Sequence, residues 1–484
     1  MRDRGFLYME TVQMEIEVLP LIILLVYLVG MLSIGFLSNK FMIKNSNDYL
    51  LGGRRIGLLF VAASLSANNV GGGSTTGVAA KAFSGWGLSA GWYVLAASVA
   101  MIPLAYFAPK IRKAMAFTIP EVISRRFGDG VGTVSALLNI VSLFCLTASQ
   151  VLAAGSVVSS LTGFDMRICV MMGTALMLFY TVMGGLIADS IADLFQWVII
   201  FGGLLVSLPF VISGAGGWGE IASKLPAGEM NFTKVGWFTI ISLILNYFCT
   251  FLSGPEIVSR FAAAEDEATA KKAAWLSALM MAMMAFIPAL IGLVALAENP
   301  GLDGGAGTSA LMFATKSYAP PVITGLVAAA IVAATMSSGD SNLLCASTIF
   351  VKDIFQKYIK PDISDKQILV MTRVSNVVIG VCAMLIAMMG INIVTLNLFA
   401  FAVRSAGPFA AYGLGLAMPN ATKNAGIVSV VVGSVAAVVW QLLDQPFGIL
   451  AIVFGAILGC ISFVLTTTIE RAMGKPAAPP AFRD

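Results

Sequence analysis

The stretch "ANNVGGGSTTG", residues 67–77, lies inside an apolar run, residues 56–83, that is long enough to cross a membrane. Three consecutive glycines weaken a helix, and two asparagines are costly to remove from water. If the helix unwinds at residues 71–73, the carbonyls of Ala67 and Val70 lose their usual hydrogen-bond partners and must line a cavity or bind a ligand. Because Na⁺ prefers oxygen ligands, these carbonyls and nearby hydroxyls would form a sodium site without a carboxylate.

The composition is that of a membrane protein. The chain has 484 residues, of which 58% are hydrophobic and 11% charged, and its mean hydropathy is +0.91. A soluble protein carries about a quarter charged residues. We therefore predict an all-α polytopic protein in a lipid bilayer, with no nucleic-acid partner. The sequence contains no histidine, and its six cysteines are scattered singly, which argues against an enzyme or a zinc site.

Apolar runs recur along the whole chain and predict thirteen membrane spans. An odd number places the termini on opposite sides. Lys and Arg concentrate in one set of alternate loops, which includes Arg54, Arg112, Arg260 and Lys357, so we expect the N-terminus outside and the C-terminus in the cytoplasm of a cell-membrane protein. The predicted spans are residues 18–38, 56–82, 85–108, 131–160, 166–183, 187–213, 235–263, 272–296, 322–351, 368–390, 393–417, 425–442 and 446–468.

A second interruption favours unwinding over the alternative that the glycines only let another helix approach closely. The seventh predicted span carries "LSGPE", residues 252–256, where Pro255 removes a backbone donor. Broken helices in corresponding places of two halves are typical of inverted-repeat transporters. The predicted organisation is therefore an N-terminal region with one extra helix (1–55), a first five-helix repeat (56–214), an extracellular loop (215–234), an inverted second repeat (235–417), and two extra helices with a cytoplasmic tail (418–484).

The ninth predicted span offers the other half of a sodium site in "AAIVAATMSSGDSNLL", residues 329–344. Its Ala334, Ser337, Ser338 and Ser341 fall on one helical stripe. Single serines in membrane helices usually bond to their own helix, but four such positions beside an acid are harder to explain in this way. That acid, Asp340, costs at least ~2.5 kcal/mol in a membrane span, which makes a functional role the first hypothesis.

Further polar residues suggest ion and substrate contacts. Asp189 and Asp193 lie one turn apart in the sixth span. Asp189 either is merely solvated in the cytoplasmic interface or has a role within the span, and Asp193 lies deeper. Arg404, in the eleventh span, either neutralises Asp340 or another buried acid, or binds an anionic substrate group. We favour structural pairing, because a buried arginine is always charged and needs a permanent counter-charge. Candidate substrate contacts near the midplane are Asn68, Asn69, Ser74, Gln150, Asn246 and Arg404.

Three motifs resemble the sodium:solute symporter family. They are "LLGGRRIGLLFVAASLSA" (residues 50–67), "YTVMGGLIAD" (180–189) and "SGPEIVSRFAAAED" (253–266). The likeness covers nearly the whole length and both repeats. It implies a LeuT-like core, an inverted five-helix repeat also found in amino-acid and nucleobase transporters. It also implies a sodium-coupled symporter that imports a small solute by alternating access.

The resemblance implies site residues at matching positions. The family's sodium site falls on Ala67, Val70, Ala334, Ser337 and Ser338. A second sodium site of some members falls on Asp193, Asp340 and Ser341, with Asp340 standing where a hydroxyl is usual.

Two departures bear on the substrate. Asn69 replaces the acid of proline-type relatives, which argues against assuming proline as the substrate. Gly254 and Pro255 stand where the sugar-transporting branch carries polar residues. These departures favour a small organic acid, amino acid or amine over a sugar.

Rival mechanisms remain open at this stage. A proton-coupled carrier of the same fold would use Asp189, Asp193 or Asp340 as its relay. A channel would need a pore ring from an oligomer, and an enzyme would need a nucleophile or metal motif that the sequence lacks. The sequence leaves the substrate, the ion ratio and the oligomeric state undetermined.

Overall fold

The computed structural model describes residues 18–302, 309–389 and 393–480. The start of the predicted extracellular N-terminus and the end of the predicted cytoplasmic tail lie outside these ranges. The described chain folds as α-helices joined by short turns. In chain order they are α1 Val18–Phe41, α2 Ser46–Leu51, α3 Leu58–Asn69, α4 Thr76–Lys81, α5 Trp92–Lys113, α6 Ile119–Phe127, α7 Asp129–Thr162, α8 Met166–Gly214, α9 Trp218–Lys224, α10 Trp237–Leu252, α11 Pro255–Ala263, α12 Glu267–Met284, α13 Ile287–Glu298, α14 Ser309–Tyr318, α15 Pro321–Ile349, α16 Asp365–Ala387, α17 Ile393–Ser405, α18 Pro408–Ala417, α19 Lys423–Leu442 and α20 Ala451–Ala472.

Several of these helices are built to cross a membrane. Within the described ranges, nine helical stretches are long and apolar enough to span, and the count is ten if the bent pair α10–α11 forms one span. Helix α8 is 49 residues long, more than twice the ~30 Å hydrocarbon core at 1.5 Å per residue. Its backbone leaves the helical region at Gly185, with φ 58° and ψ −173°, between the two spans predicted there. The prediction of an all-helical polytopic protein is confirmed.

Both predicted helix breaks are present. Helix α3 ends at Asn69, and turns lead through the triple glycine to α4. Helices α10 and α11 meet at a 56° bend, where Pro255 starts α11. A further break, between α17 and α18, was not predicted. There Pro408 begins a new helix, because proline lacks the N–H that would continue the preceding one.

Helix α15 is buried along most of its length. Every residue from Val327 to Ile349 is buried, so this helix presents no face to lipid over that length. It packs against α1, α3, α7, α8 and α11. An apolar helix surrounded by protein can carry polar groups, provided that its neighbours satisfy them. The serines and the acid of α15 therefore all point into protein.

Gly185 provides a test of the turn inside α8. A Cβ built at this position would lie 2.6 Å from Tyr49 Cδ2 and 2.8 Å from the Tyr49 backbone oxygen, and its φ is positive. We expect Gly185→Ala to lower the free energy of unfolding by about 1–2 kcal/mol from the backbone alone, with the clash in addition. Thermal unfolding of the purified protein in detergent measures this. Gly202→Ala, in the same helix with no atom within 4 Å of its Cβ, is the control and should unfold at the wild-type temperature or above. Equal midpoints for both variants would contradict a strained turn.

Candidate functional site

The break after α3 leaves two backbone carbonyls without partners. The Val70 N–H donates to the Ser66 carbonyl at 3.0 Å, and the Ser74 N–H donates to the Gly71 carbonyl at 3.0 Å instead of reaching Val70. In the part of the chain that the structure describes, no hydrogen bond reaches the carbonyl oxygens of Ala67 and Val70. Both residues are fully buried. The break therefore exposes two oxygens to the protein interior, as predicted from the glycines.

Helix α15 lies directly against this break. The Ser338 hydroxyl is 2.6 Å from the Asn68 carbonyl and 3.1 Å from the Ala334 carbonyl. The Asn68 side-chain amide donates to the Ser337 carbonyl at 3.4 Å. A Cβ at Gly71 would lie 2.6 Å from Ser338 Oγ, which explains why a glycine stands there. The oxygens of Ser338 and of the α3 end are thus neighbours, whereas the Ser337 hydroxyl turns away and donates to Asp193.

The placement of Arg260 in a cytoplasmic loop was wrong. Arg260 lies inside α11, and its side chain is 1% exposed. Its Nη2 is 2.8 Å from Asp189 Oδ2 and 3.2 Å from Asp193 Oδ2. The reason is the path after the second break: α11 continues through the interior for nine residues and packs against α3, α5 and α15. Asp189, for which a solvated place at the cytoplasmic interface was one expectation, is likewise buried.

Two of the three residues of the predicted second sodium site, Asp193 and Ser341, meet at this arginine. Asp193 accepts hydrogen bonds from the hydroxyls of Ser337 and Ser64 as well as from Arg260. The Ser341 hydroxyl contacts Arg260 and is 3.0 Å from Asp189 Oδ2. Asp340 stands apart from the guanidinium: its Oδ1 accepts the Ser341 N–H at 2.8 Å.

A cavity adjoins the unwound end of α3. Four of the predicted substrate contacts line it, namely Asn68, Asn69, Ser74 and Gln150. The Gln150 Oε1 accepts the Gly72 N–H at 2.9 Å, so this amide also holds the break in place. Asn246 is buried but does not line the cavity. The lining also includes Gly71, Gly73, Tyr93, Leu146, Tyr247, Phe251, Glu256, Ser338, Asn342, Asn397 and Phe401.

Arg404 pairs with a buried acid, as favoured from the sequence, but that acid is Glu256 rather than Asp340. Nη1 lies 2.6 Å from Oε2 and Nη2 lies 2.6 Å from Oε1, a two-pronged ion pair. Both side chains are buried. Glu256 stands in the first turn of α11, where the helix dipole favours a negative charge, and it lines the cavity. Arg404 therefore acts on the cavity through Glu256.

The sequence reasoning missed the aromatic wall of the cavity. Tyr247 and Phe251 lie one turn apart in "LNYFCTFLSGP", residues 245–255, just before the second break. The Tyr93 and Tyr247 rings contact edge to face at 5.5 Å between centroids. The spacing of Tyr247 and Phe251 ahead of Pro255 could have predicted this aromatic wall. The acidic Glu256 directly after Pro255 was a second indication of a site. Tyr93 and Asn397 come from distant helices, and no local pattern marks them.

The chain resembles known transporters over nearly its whole length. Residues 49–464 match the model of the sodium:solute symporter family. The chain is 27% identical over 482 residues to the osmoregulated proline transporter OpuE of Bacillus subtilis (strain 168), covering 96% of each chain. It is 28% identical over 492 residues to the sodium/proline symporter of Staphylococcus aureus (strain JH9), covering 94% of this chain and 93% of the relative.

A solved structure has the same fold. It is a Na⁺-coupled sialic acid symporter in a substrate-bound, outward-open state, and it matches with a TM-score of 0.80 at 21% identity. The match covers 96% of this chain and 99% of that one. Since the matching family is one of symporters and both relatives named above are transporters, the chain is not an enzyme. This multi-pass membrane protein belongs to the sodium:solute symporter family.

Proposed function

We propose that the protein is a sodium-coupled symporter that imports a small polar solute across the cell membrane by alternating access. The observation that carries the proposal is a pair of buried carbonyls, at Ala67 and Val70, that accept no hydrogen bond from the described residues. They lie in the segment whose Asn68 carbonyl contacts the Ser338 hydroxyl. The proposal includes thirteen spans, an external N-terminus and a cytoplasmic C-terminus. The two repeats, residues 56–214 and 235–417, would move against each other around the site.

The proposed sodium ligands are Ala67, Val70, Ala334, Ser337 and Ser338. All five residues are buried and offer only neutral oxygens, which suits a monovalent hard cation. The Ser338 hydroxyl already bridges α3 and α15 through the Asn68 and Ala334 carbonyls. Sodium bound here would strengthen the same bridge between the two repeats, and it would hold the unwound end of α3 in the form that lines the cavity.

The substrate is proposed to bind in the cavity at Asn68, Asn69, Ser74 and Gln150. Asn246 and Arg404, the other predicted contacts, would support it from outside the lining. The cavity offers amides, a hydroxyl, aromatic faces and the carboxylate of Glu256. This mixture suits a small organic acid, amino acid or amine better than a sugar. Two curated relatives are named for proline, which makes proline the first compound to test.

Coupling between the two ligands would be a binding linkage. If sodium raises the affinity for substrate, substrate must raise the affinity for sodium by the same factor. The membrane potential adds ~2.3 kcal/mol per charge per 100 mV to the driving force. Sodium entry down its gradient would thus drive accumulation of the solute.

Reconstituted transport tests this proposal. Proteoliposomes would be given proline, other amino acids, organic acids, amines and sugars under an inward sodium gradient. We expect saturable uptake of one class that stops when potassium replaces sodium. The cluster of Asp189, Asp193 and Asp340 supports a proton-coupled carrier as the second candidate. Uptake driven by a pH gradient in sodium-free buffer would favour that carrier and contradict sodium symport.

Ser338→Ala removes a proposed ligand without adding bulk. We expect the sodium concentration for half-maximal uptake, or for half-maximal thermal stabilisation, to rise about tenfold or more, equivalent to ~1.4 kcal/mol of binding free energy. Ser337→Ala should act in the same direction. Ser347→Ala is the matched control, because Ser347 is buried in the same helix and donates only to the Leu344 carbonyl at 2.9 Å. Unchanged sodium dependence in both test variants would remove the proposed site.

Glu256 and Arg404 are expected to behave as one unit. Arg404→Gln leaves the Glu256 carboxylate buried without its counter-charge, which costs about 3–5 kcal/mol of stability. Glu256→Gln should lower the stability by a similar amount, because it leaves the Arg404 guanidinium without its counter-charge. The double variant should unfold at a higher temperature than either single variant. Thermal unfolding of the four purified proteins completes the cycle. Additive losses would show that the two side chains act separately, and Arg404 would then be free to serve as a direct substrate contact.

A further inference from the structure

Arg260 occupies a position between four helices. It comes from α11, and its guanidinium reaches α3 through Ser64, α8 through two aspartates, and α15 through Ser341. Nε donates to Ser64 Oγ at 2.6 Å, and Nη1 donates to the Glu256 carbonyl at 2.7 Å within α11. The side chain is 1% exposed. Its charge is therefore held by the protein alone.

Two of the three groups predicted to bind a second sodium ion, Asp193 and Ser341, bind this guanidinium. Asp193 accepts hydrogen bonds from the hydroxyls of Ser337 and Ser64 and from Nη2 of the arginine, so that both of its carboxylate oxygens are bonded. The Ser341 hydroxyl contacts Nη2, Asp189 Oδ2 and the Ser337 carbonyl. A sodium ion at this point would have to displace a permanent cation or sit beside it against Coulomb repulsion. Asp193 and Ser341 therefore hold a guanidinium at the point where the sequence predicted a second metal ion.

Asp340, the third predicted ligand, does not join the set. Its Oδ1 accepts the Ser341 backbone N–H, and its Oδ2 accepts no hydrogen bond from the described residues. The side chain borders a separate small cavity with Asp189, Tyr180 and Gly185. The three residues of the predicted second site therefore do not converge on one point, since two of them face Arg260 and the third faces this cavity.

We propose that Arg260 is a resident cation that takes the place of a second sodium ion between α8 and α15, so that the transporter binds one exchangeable sodium ion per cycle. A guanidinium is always charged and cannot leave the protein. It binds the same carboxylates and hydroxyl in every cycle. The proposal goes beyond the sodium symport proposed above, because it concerns how many ions exchange and which residue sets that number.

The same geometry predicts what removal of Arg260 creates. Arg260→Gln leaves Asp189 and Asp193 buried without their counter-charge, next to the hydroxyls of Ser64, Ser337 and Ser341. This is an oxygen-rich, negative site that suits sodium. The variant should therefore gain a sodium ion and depend on sodium for its stability, because a ligand that binds only the folded state stabilises it.

Binding of radioactive sodium to the purified protein tests the proposal. We expect one ion per chain in the wild type, lost in Ser338→Ala, and two in Arg260→Gln. Arg260→Lys, which keeps a tethered positive charge, should bind one. Arg126→Gln is the matched control, because Arg126 is a buried arginine whose side chain donates to the Met418 carbonyl and not to Asp189 or Asp193. The Arg126→Gln variant should also bind one sodium ion. Should Arg260→Gln unfold in potassium buffer, purification in high sodium is expected to recover it.

Several outcomes would overturn the proposal. Two sodium ions in the wild type, of which Ser338→Ala removes only one, would mean that Arg260 does not replace an ion. A folded Arg260→Gln that still binds a single ion would mean the same. No binding to the wild type but one ion bound by Arg260→Gln would support the role of Arg260 while rejecting sodium symport, so the two proposals fail separately.

Discussion

Buried backbone oxygens are the constraint on which the architecture depends. In a membrane interior every carbonyl must find a partner, and a continuous helix provides one for each. This chain gives up that arrangement at the end of α3, where Gly71–Gly73 let the backbone turn and where α15 comes close enough for Ser338 to reach the Asn68 carbonyl. The local loss of helix is tolerated because the freed groups face protein rather than lipid: Ser338 and Gln150 bond two of them, and the carbonyls of Ala67 and Val70 are left for a ligand.

The burial of α15 follows from the same requirement. Helix α15 contacts the end of α3, the acids of α8 and the arginine of α11. Because these elements surround it, no side of the helix faces lipid between Val327 and Ile349. This explains a sequence rich in alanine and serine. Small side chains let the neighbouring helices approach closely. Polar groups along it are paired across helices, which fixes how those helices stand relative to one another.

The features that were predictable from the sequence are those encoded locally. Gly71–Gly73 and Pro255 mark breaks because glycine and proline act on their own backbone, and the stripe that contains Ser338 follows from helical spacing. Long-range features were not accessible. Glu256 and Arg404 are 148 positions apart, and no local sequence pattern around either residue predicts that they pair. Arg260 was misplaced because its burial depends on the 56° bend that redirects the chain after α10. Whether a basic residue near the end of a span faces water or protein depends on the direction that the chain takes there, which the residue itself does not determine.

The two broken helices present opposite electrical ends. Helix α3 offers its carboxyl end, with partial negative charge, whereas α11 offers its amino end, with partial positive charge, and places Glu256 on it. Because Glu256 is neutralised by Arg404, this second terminus brings no net formal charge to the cavity wall. If the chain is the sodium symporter proposed above, a reorientation without cargo would move no net formal charge of the Glu256–Arg404 pair through the electric field of the membrane.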